Sequence, residues 1–175
     1  MFGKIVVAFD NSLIGQQIFD EAVTLAKATG ASVMLINVIS PFDEYYPNPF
    51  LTQTGMSYPV VSVEVFNSYL EQWKELKQES INFLKSFCDR AQALGVKTEL
   101  VQGFGDPGRA ICDVARNYKA DLIILGRRGH KGLGELFLGS VSNYVLHHAP
   151  CSVLIVQGAT HATIESPENK QTAST

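Results

Sequence analysis

The chain has 175 residues, of which 46% are hydrophobic and 18% charged, with a net charge of −3 at neutral pH. These values are typical of one globular domain, and they argue against nucleic acid as a partner because phosphate-backbone binding needs a broad basic face. No stretch has the roughly 18 apolar residues of a membrane helix, and the three cysteines lack a paired spacing, so we expect a cytoplasmic protein with buried thiols, no metal site and no membrane partner.

The first 40 residues predict a strand, a helix and a second strand. The apolar, β-branched run over 4–9 is typical of a strand buried on both faces. Ser12 is the expected N-cap of the following helix and Gly30 its expected C-cap. Residues 31–38 predict the second strand, and such a β-α-β unit places its two strands parallel.

Residues 40–62 predict a long loop. They contain four prolines and five aromatic residues, and proline interrupts regular elements. We expect this segment to be either a functional lid or a loop that folds its aromatic side chains onto the core.

The second half of the chain predicts alternating helices and strands. Apolar residues at helical spacing predict a helix over 63–94, which Gly95 ends. After a predicted strand over 96–101 and a loop over 103–107, Asp106 is expected to cap a third helix with Pro107 at its first position. The remaining predicted elements are a strand at 122–125, a short helix from about 141 to 148, and a last strand at 152–156.

This order predicts an α/β fold with an open, five-stranded parallel sheet and helices on both faces. The domain spans 1–158, and the polar residues 159–175 are expected to form a flexible tail. Ligands of such sheets bind beyond the carboxyl ends of the strands, where the strand order reverses. Asp10 follows the first predicted strand, Val38 ends the second and Gly126 follows the fourth. If strands one and four are neighbours, these three residues converge on one crevice.

A glycine-rich stretch follows the fourth predicted strand. It begins with Gly126-Arg127-Arg128-Gly129, and Gly139-Ser140 stands where the next helix begins. Glycines after a strand and at a helix start let backbone N–H groups bind an anion. The stretch also contains His130 and Lys131. In an acidic chain, this basic, glycine-rich segment predicts a phosphate site, to which the basic side chains contribute or beside which they face solvent or a partner.

Two common nucleotide motifs are excluded. A dinucleotide-binding G-x-G-x-x-G should open the first helix, but residues 10–15 read Asp-Asn-Ser-Leu-Ile-Gly. A P-loop needs Lys after its second glycine, and Ser140 stands there, after Gly134 and Gly139. The pattern that remains is G-x2-G-x9-G-S.

With this pattern the sequence resembles the universal stress protein family, specifically its ATP-binding branch. The resemblance covers about residues 2 to 157, and it departs at Asn11, where the family usually has Gly, and at 40–62, whose length varies among such proteins. The matching stretches are Val6 to Ser12, Gly105 to Pro107, Asp121 to Gly126, Gly129, Gly139 to Ser142 and Ala149 to Val156.

The resemblance implies a fold like that of the adenine nucleotide alpha hydrolases, with strand order 3-2-1-4-5, and a nucleotide site. Asp10 would line the pocket near the base and ribose, and Val38 would hold adenine through its backbone. Gly126 and Gly129 would let the chain pass close to the ribose and phosphates. The full set of nucleotide-binding residues that we expect is Ala8, Phe9, Asp10, Val38, Leu125, Gly126, Arg127, Gly129, His130, Gly139, Ser140, Val141 and Ser142.

The function that the resemblance implies is a cytoplasmic stress-response sensor or regulator that binds ATP, alone or with Mg²⁺ held by the phosphates near Asp10. It also implies a homodimer through the last strand, Ser152 to Val156. Three alternatives stay open: a slow ATPase or related nucleotide-hydrolysing enzyme, a binder of AMP, cyclic AMP or a cyclic dinucleotide, and a partner-binding protein that binds no nucleotide. No catalytic residue is assigned, because His130 has no second acid or base clearly placed with it. His147 and His148 are adjacent, so they point in different directions on a helix and are not expected to bind a metal together.

Overall fold

The computed structural model describes residues 2–9, 14–40, 63–127 and 138–157. The predictions for the long loop, beyond Ser40, and for the polar tail fall on residues outside these ranges. The elements in chain order are β1 (Lys4–Phe9), α1 (Gly15–Thr29), β2 (Ser32–Ile39), α2 (Val63–Ala93), β3 (Thr98–Phe104), α3 (Pro107–Tyr118), β4 (Leu122–Gly126), α4 (Ser140–His148) and β5 (Ser152–Val156).

The sheet has five parallel strands in the order β3-β2-β1-β4-β5, which confirms the predicted fold class and strand order. β1 is the central strand, and Val7 is paired with Leu35 on one side and with Ile124 on the other. All three are fully or almost fully buried. The continuous apolar runs of β1 and β4 therefore follow from their position, with neighbours on both edges and helices on both faces.

The helices cover the two faces in pairs. α1 and α2 pack on one face, where Phe19 and Leu84 belong to the same buried cluster. α3 and α4 pack on the other, where Ile111 and Val145 belong to a second cluster. In the described part of the chain, no helix is long and apolar enough to cross a membrane.

Several predicted boundaries differ from the structure by one to three residues, most clearly at the start of α1 and the end of β3. Helix α1 begins at Gly15, and its N-cap is Ile14 instead of the predicted Ser12. Gly30 ends the helix with φ +72°, as predicted. β3 continues through Gly103 and Phe104, which the sequence predicted as loop. It does so because these residues pair with the last two residues of β2.

The amino end of the sheet is closed by Asp121. Its carboxylate accepts hydrogen bonds from the backbone N–H groups of Gly3 and Lys4, at 2.8 and 2.9 Å. These two bonds lower the pKa of Asp121 below its ordinary value. The Lys4 ammonium donates to the carbonyl of Tyr118 at 3.1 Å and lies over its ring. These contacts therefore connect the start of β1 with the end of α3 and the residue that precedes β4.

The three cysteines are free. Cys88 and Cys112 are buried, as predicted, and Cys151 is half-buried. Burial raises the pKa of each thiol, which keeps the thiols protonated and weakly nucleophilic.

Candidate functional site

The structure brings the strand-end residues of the predicted site to one edge of the sheet. Ala8 is paired with Leu125 across β1 and β4, and Phe9 and Gly126 come next on these two strands. Val38 lies near the carboxyl end of β2, on the other side of β1. Neighbouring strands are about 4.8 Å apart. The ends of β1, β2 and β4 therefore meet at the point where the strand order reverses, as predicted.

Some predicted site residues lie outside the described part of the chain. These are Asp10, Gly129 and His130, together with the neighbouring basic residues Arg128 and Lys131. Their assignment to the site stays a prediction.

The amino end of α4 lies against the end of β4. The backbone N–H of Gly139, the N-cap residue, donates to the carbonyl of Arg127 at 3.0 Å. The next helical turn begins when the N–H of Asn143 donates to the carbonyl of Gly139 at 2.9 Å. In helix geometry the N–H groups between them, those of Ser140, Val141 and Ser142, have no intrahelical acceptor. Gly139 has no side chain that could accept from them, so they are available to an anion.

A buried side chain fixes the start of α4. The Ser142 hydroxyl, on a residue that is 3% exposed, donates to the carbonyl of Gly126 at 2.7 Å. The backbone N–H of Arg127 donates in turn to the carbonyl of Val156 on β5 at 2.9 Å. Because the single hydroxyl hydrogen of Ser142 is used in this bond, its side chain positions the helix start and can meet a ligand only as an acceptor.

The side chains of three predicted site residues lie in the core. Ala8, Phe9 and Leu125 are each no more than 8% exposed, and the Phe9 ring stacks on Phe87 of α2 with ring centres 5.1 Å apart. Their contribution to a site at the strand ends would come from the backbone. Ser140, in contrast, is exposed at the start of α4.

Gly126 is needed for packing as well as for any ligand. A Cβ at this position would lie 3.0 Å from Cδ1 of Ile18 and 3.3 Å from Cγ2 of Ile14. A side chain at position 126 would therefore point toward α1. This gives a structural reason for a small residue here that the sequence analysis did not consider.

The sequence did not predict two buried, hydrogen-bonded polar side chains near the same strand ends, those of Asn37 and Ser80. Asn37 is 6% exposed, and its Nδ2 donates to the carbonyl of Phe9 at 3.0 Å. The hydroxyl of Ser80, which is 5% exposed, donates to Oδ1 of Asn37 at 2.7 Å. The available signal was the alternation of β2, which places Asn37 on the same buried face as Val33 and Leu35.

Among the described residues no group of three or more His, Cys, Asp or Glu side chains is arranged to hold a metal ion. His147 and His148 lie in the last turn of α4, where the sequence placed them. Nδ1 of His148 is 2.8 Å from the carbonyl of Tyr144, and the two rings stack at 4.0 Å. Both contacts give His148 a role within the helix.

The start of α3 lies at the same edge of the sheet but has a side-chain cap. The Asp106 side chain accepts from the N–H of Arg109 at 2.8 Å, and Pro107 at the first helical position has no N–H. A Cβ at Gly108 would come within 2.7 Å of the Tyr144 ring, so this turn also packs tightly against α4. Of the two helix starts on this face, that of α4 is the one whose first N–H groups have no acceptor in their own cap.

Comparison with protein families and with curated proteins gives a consistent result. The sequence model of the universal stress protein family matches residues 1–157. The chain is 39% identical to the universal stress protein Sll1388 of Synechocystis sp. over 160 residues, which cover 89% of this chain and 98% of that protein. It is 32% identical to the universal stress protein YxiE of Bacillus subtilis, over 90% of this chain and all of that protein.

Solved structures share the fold. The universal stress protein UspA from Lactobacillus plantarum matches with a TM-score of 0.69 and 24% identity, over 88% of this chain and 97% of that one. A universal stress protein in complex with cAMP matches with a TM-score of 0.58 and 24% identity, over 89% and 97%. The universal stress protein from Archaeoglobus fulgidus in complex with dAMP matches with a TM-score of 0.54 and 17% identity, over 87% and 96%.

Proposed function

This chain belongs to the universal stress protein family, and from that premise we propose that it binds an adenine nucleotide at the carboxyl ends of β1, β2 and β4. ATP is the form we propose, with any Mg²⁺ held by its phosphates. The protein then acts in the cytoplasm as a sensor or regulator of the stress response.

The observation that carries the proposal is the start of α4. Three successive N–H groups lie at a helix N-terminus that is tied to the end of β4 by the Ser142 hydroxyl, 2.7 Å from the Gly126 carbonyl. The helix dipole adds partial positive charge at the same place. Prearranged N–H donors of this kind suit a phosphate group, and Ser140 adds an exposed hydroxyl beside them.

The adenosine half of the ligand is assigned to the other side of the crevice. We propose that Asp10 contacts the ribose and base, and that the Val38 backbone holds the adenine ring. Both cAMP and dAMP, found with proteins of the same fold, combine an adenine base with one phosphate. A site that joins an adenine half to a phosphate half has the chemistry for such ligands, and for ATP.

The replacement of Ser140 by Ala tests the phosphate half. A hydrogen bond to a charged group contributes about 1.5–3 kcal/mol, so we expect Ser140→Ala to weaken ATP binding about tenfold or more, as measured by titration calorimetry. Ser86→Ala is the matched control, because Ser86 is an exposed helical serine on α2 whose hydroxyl donates to the Phe83 carbonyl of the same helix. If the two variants bind ATP equally well, Ser140 is not a phosphate ligand.

A competition series separates the nucleotide alternatives. ATP, ADP, AMP, cyclic AMP and a cyclic dinucleotide are titrated against one labelled ATP analogue. We expect ATP to bind most tightly, because its added phosphates bring more negative charge to the positive end of the α4 dipole. Steady release of phosphate over many turnovers, lost in His130→Ala, would instead assign slow ATP hydrolysis.

We further propose a homodimer through β5. This strand is at the edge of the described sheet, and Leu154 is 40% exposed on it. An edge strand presents backbone groups that can pair with another copy. We expect Leu154→Lys to yield a monomer in sedimentation analysis, with Leu146→Lys on the exposed face of α4 as the control. A monomeric wild-type protein would overturn this proposal without affecting the nucleotide site.

A further inference from the structure

A buried chain of hydrogen bonds links α2 to the end of β1. Ser80 of α2 donates to the side chain of Asn37 on β2, and Asn37 donates to the backbone carbonyl of Phe9, at 2.7 and 3.0 Å. All three residues are 5 or 6% exposed. The bonds join parts of the chain that are 28 and 43 residues apart.

The chemistry of the three groups permits one direction only. The Phe9 carbonyl can only accept, so the Asn37 amide must turn its NH₂ toward it. Oδ1 of Asn37 then faces Ser80 and can only accept, so the Ser80 hydroxyl must donate. The Phe9 carbonyl thus fixes which way the amide points, and the Ser80 hydroxyl supplies the donor that the buried Oδ1 of Asn37 needs.

These hydrogen bonds end next to the two positions assigned to the adenosine half of the nucleotide. Phe9 directly precedes Asp10, and Asn37 directly precedes Val38. Phe9 and Asn37 are also paired in the register of β1 and β2. The Phe9 ring is held as well, because it stacks on Phe87 of α2. The backbone at the ends of β1 and β2, next to both positions assigned to adenosine, therefore depends on the same buried amide.

We infer that Asn37 and Ser80 are positioning residues for the adenosine half of the site, and that α2 is coupled to nucleotide binding through them. This inference rests on the proposed function, and it goes beyond it by adding two residues that touch no ligand. The pair acts on the base and ribose side of the crevice. The phosphate side is positioned separately, by Ser142.

The test compares adenosine, AMP and ATP binding in the full chain. Ser80→Ala leaves Oδ1 of Asn37 buried without its donor, and we expect affinity for all three ligands to fall by one common factor of about three to ten. The ratio of ATP to adenosine affinity stays that of the wild type. In Ser140→Ala that ratio falls, because only the phosphate contact is lost. A common factor for every ligand is the result that a role limited to the phosphates cannot produce.

A second variant and a double variant sharpen the test. Asn37→Leu has a similar shape and removes the donor to the Phe9 carbonyl, so the same common loss is expected. Because Ser80 acts through Asn37, the double variant Asn37→Leu/Ser80→Ala is expected to bind like Asn37→Leu alone. Losses that multiply in the double variant would overturn the inference.

The matched control is Thr98→Val. Thr98 is 5% exposed, and its hydroxyl donates to the Val96 carbonyl at 3.0 Å, but it begins β3 at the opposite end of the sheet. We expect it to lower stability without changing any nucleotide affinity. If Ser80→Ala binds as tightly as Thr98→Val, the inference fails alone. If the wild-type protein binds no adenine nucleotide, the proposed function fails and the inference fails with it.

Discussion

Helices α3 and α4 begin at the same edge of the sheet, yet their first turns are built differently. The start of α3 has a side-chain acceptor of its own, since Asp106 accepts from the N–H of Arg109, and Pro107 has no N–H to satisfy. The start of α4 has Gly139 in the same cap position, with no side-chain acceptor.

The difference indicates what each helix start is for. A side-chain cap stabilises a helix by giving its first N–H groups an acceptor. A helix that lacks such a cap, and whose start is nevertheless fixed to a strand end by a buried hydroxyl, keeps those N–H groups for an acceptor from outside. The proposed phosphate site follows from that contrast between the helices.

The largest expected effect comes from giving α4 the cap of α3. In Gly139→Asp the new carboxylate would accept from the first-turn N–H groups and repel a phosphate. The backbone allows the change, because Gly139 has φ −61° and ψ 154°, which any residue adopts. Loss of two charge-assisted bonds costs about 3 kcal/mol or more, so we expect ATP affinity to fall at least about a hundredfold in calorimetry.

A neutral cap is the control for this change. Gly139→Asn offers a similar side-chain acceptor without charge, so it should weaken ATP binding less than Gly139→Asp. Both variants should unfold at slightly higher temperature than the wild type, because a side-chain cap is favoured over glycine by a few tenths of a kcal/mol. Unchanged ATP affinity in Gly139→Asp would refute the assignment of this helix start.

The next effect concerns the bond that fixes α4. Ser142→Ala removes the donor to the carbonyl of Gly126, which is half-buried, and an acceptor left without its partner there costs about 1–2 kcal/mol. We expect a loss of this size in the free energy of unfolding by urea, together with weaker ATP binding. Ser142→Cys, which keeps a weak donor, is expected to lie between the two. A variant as stable as the wild type would show that this bond does not hold the helix start.

A smaller effect is expected at α3. Asp106→Ala removes the N-cap and should cost about 1 kcal/mol of stability, measured by urea unfolding. ATP affinity should not change, because the start of α3 is not assigned to the ligand. Weaker ATP binding in this variant would remove the distinction between the two helix starts.

The smallest effect is expected at the far end of the sheet, where Asp121 binds the backbone N–H groups of Gly3 and Lys4 at the start of β1. Its pKa is lowered in the folded state, so its contribution to stability is present above the ordinary carboxyl pKa of about 4 and is lost as pH falls through the lowered folded value. The effect is small because the carboxylate is exposed to water. Asp121→Asn should therefore unfold at a lower urea concentration than the wild type at pH 7.

Acid should reduce that difference. At pH 3 the urea midpoints of Asp121→Asn and the wild type should lie closer together than at pH 7. ATP binding at pH 7 should be the same in both, because Asp121 is at the opposite end of the sheet from the site. A midpoint difference that is as large at pH 3 as at pH 7 would contradict the role of the ionised carboxylate.

Local signals in the sequence predicted much of the fold. Gly30 and Gly95 both have positive φ, and Asp106 caps α3 as expected. Each of these depends on a residue and its immediate neighbours. The end of β3 was predicted incorrectly because it depends on partners in β2: Gly103 and Phe104 read as loop until their pairing is known.

The same division holds for the candidate site: its local features could be predicted, and its contacts between distant residues could not. Gly139 and Ser140 are local features, and their place at a helix start was predicted from spacing and is confirmed. The bonds from Ser142 to Gly126 and from Asn37 to Phe9 join residues distant in the chain. A serine in a helix and an asparagine in a strand have many partners available, so only the folded arrangement identifies theirs. The same holds for Gly126, whose packing against Ile18 requires α1 to be in place.

The most direct test of the account is to observe the backbone amides of the two helix starts by NMR while ATP is added. We predict that the amide resonances of Ser140 and Val141 shift and saturate with the same affinity that calorimetry measures, whereas that of Arg109, already bonded to Asp106, stays in place. Saturable ATP binding that moves Arg109 and leaves Ser140 and Val141 unchanged would contradict the assignment of the phosphate site to α4.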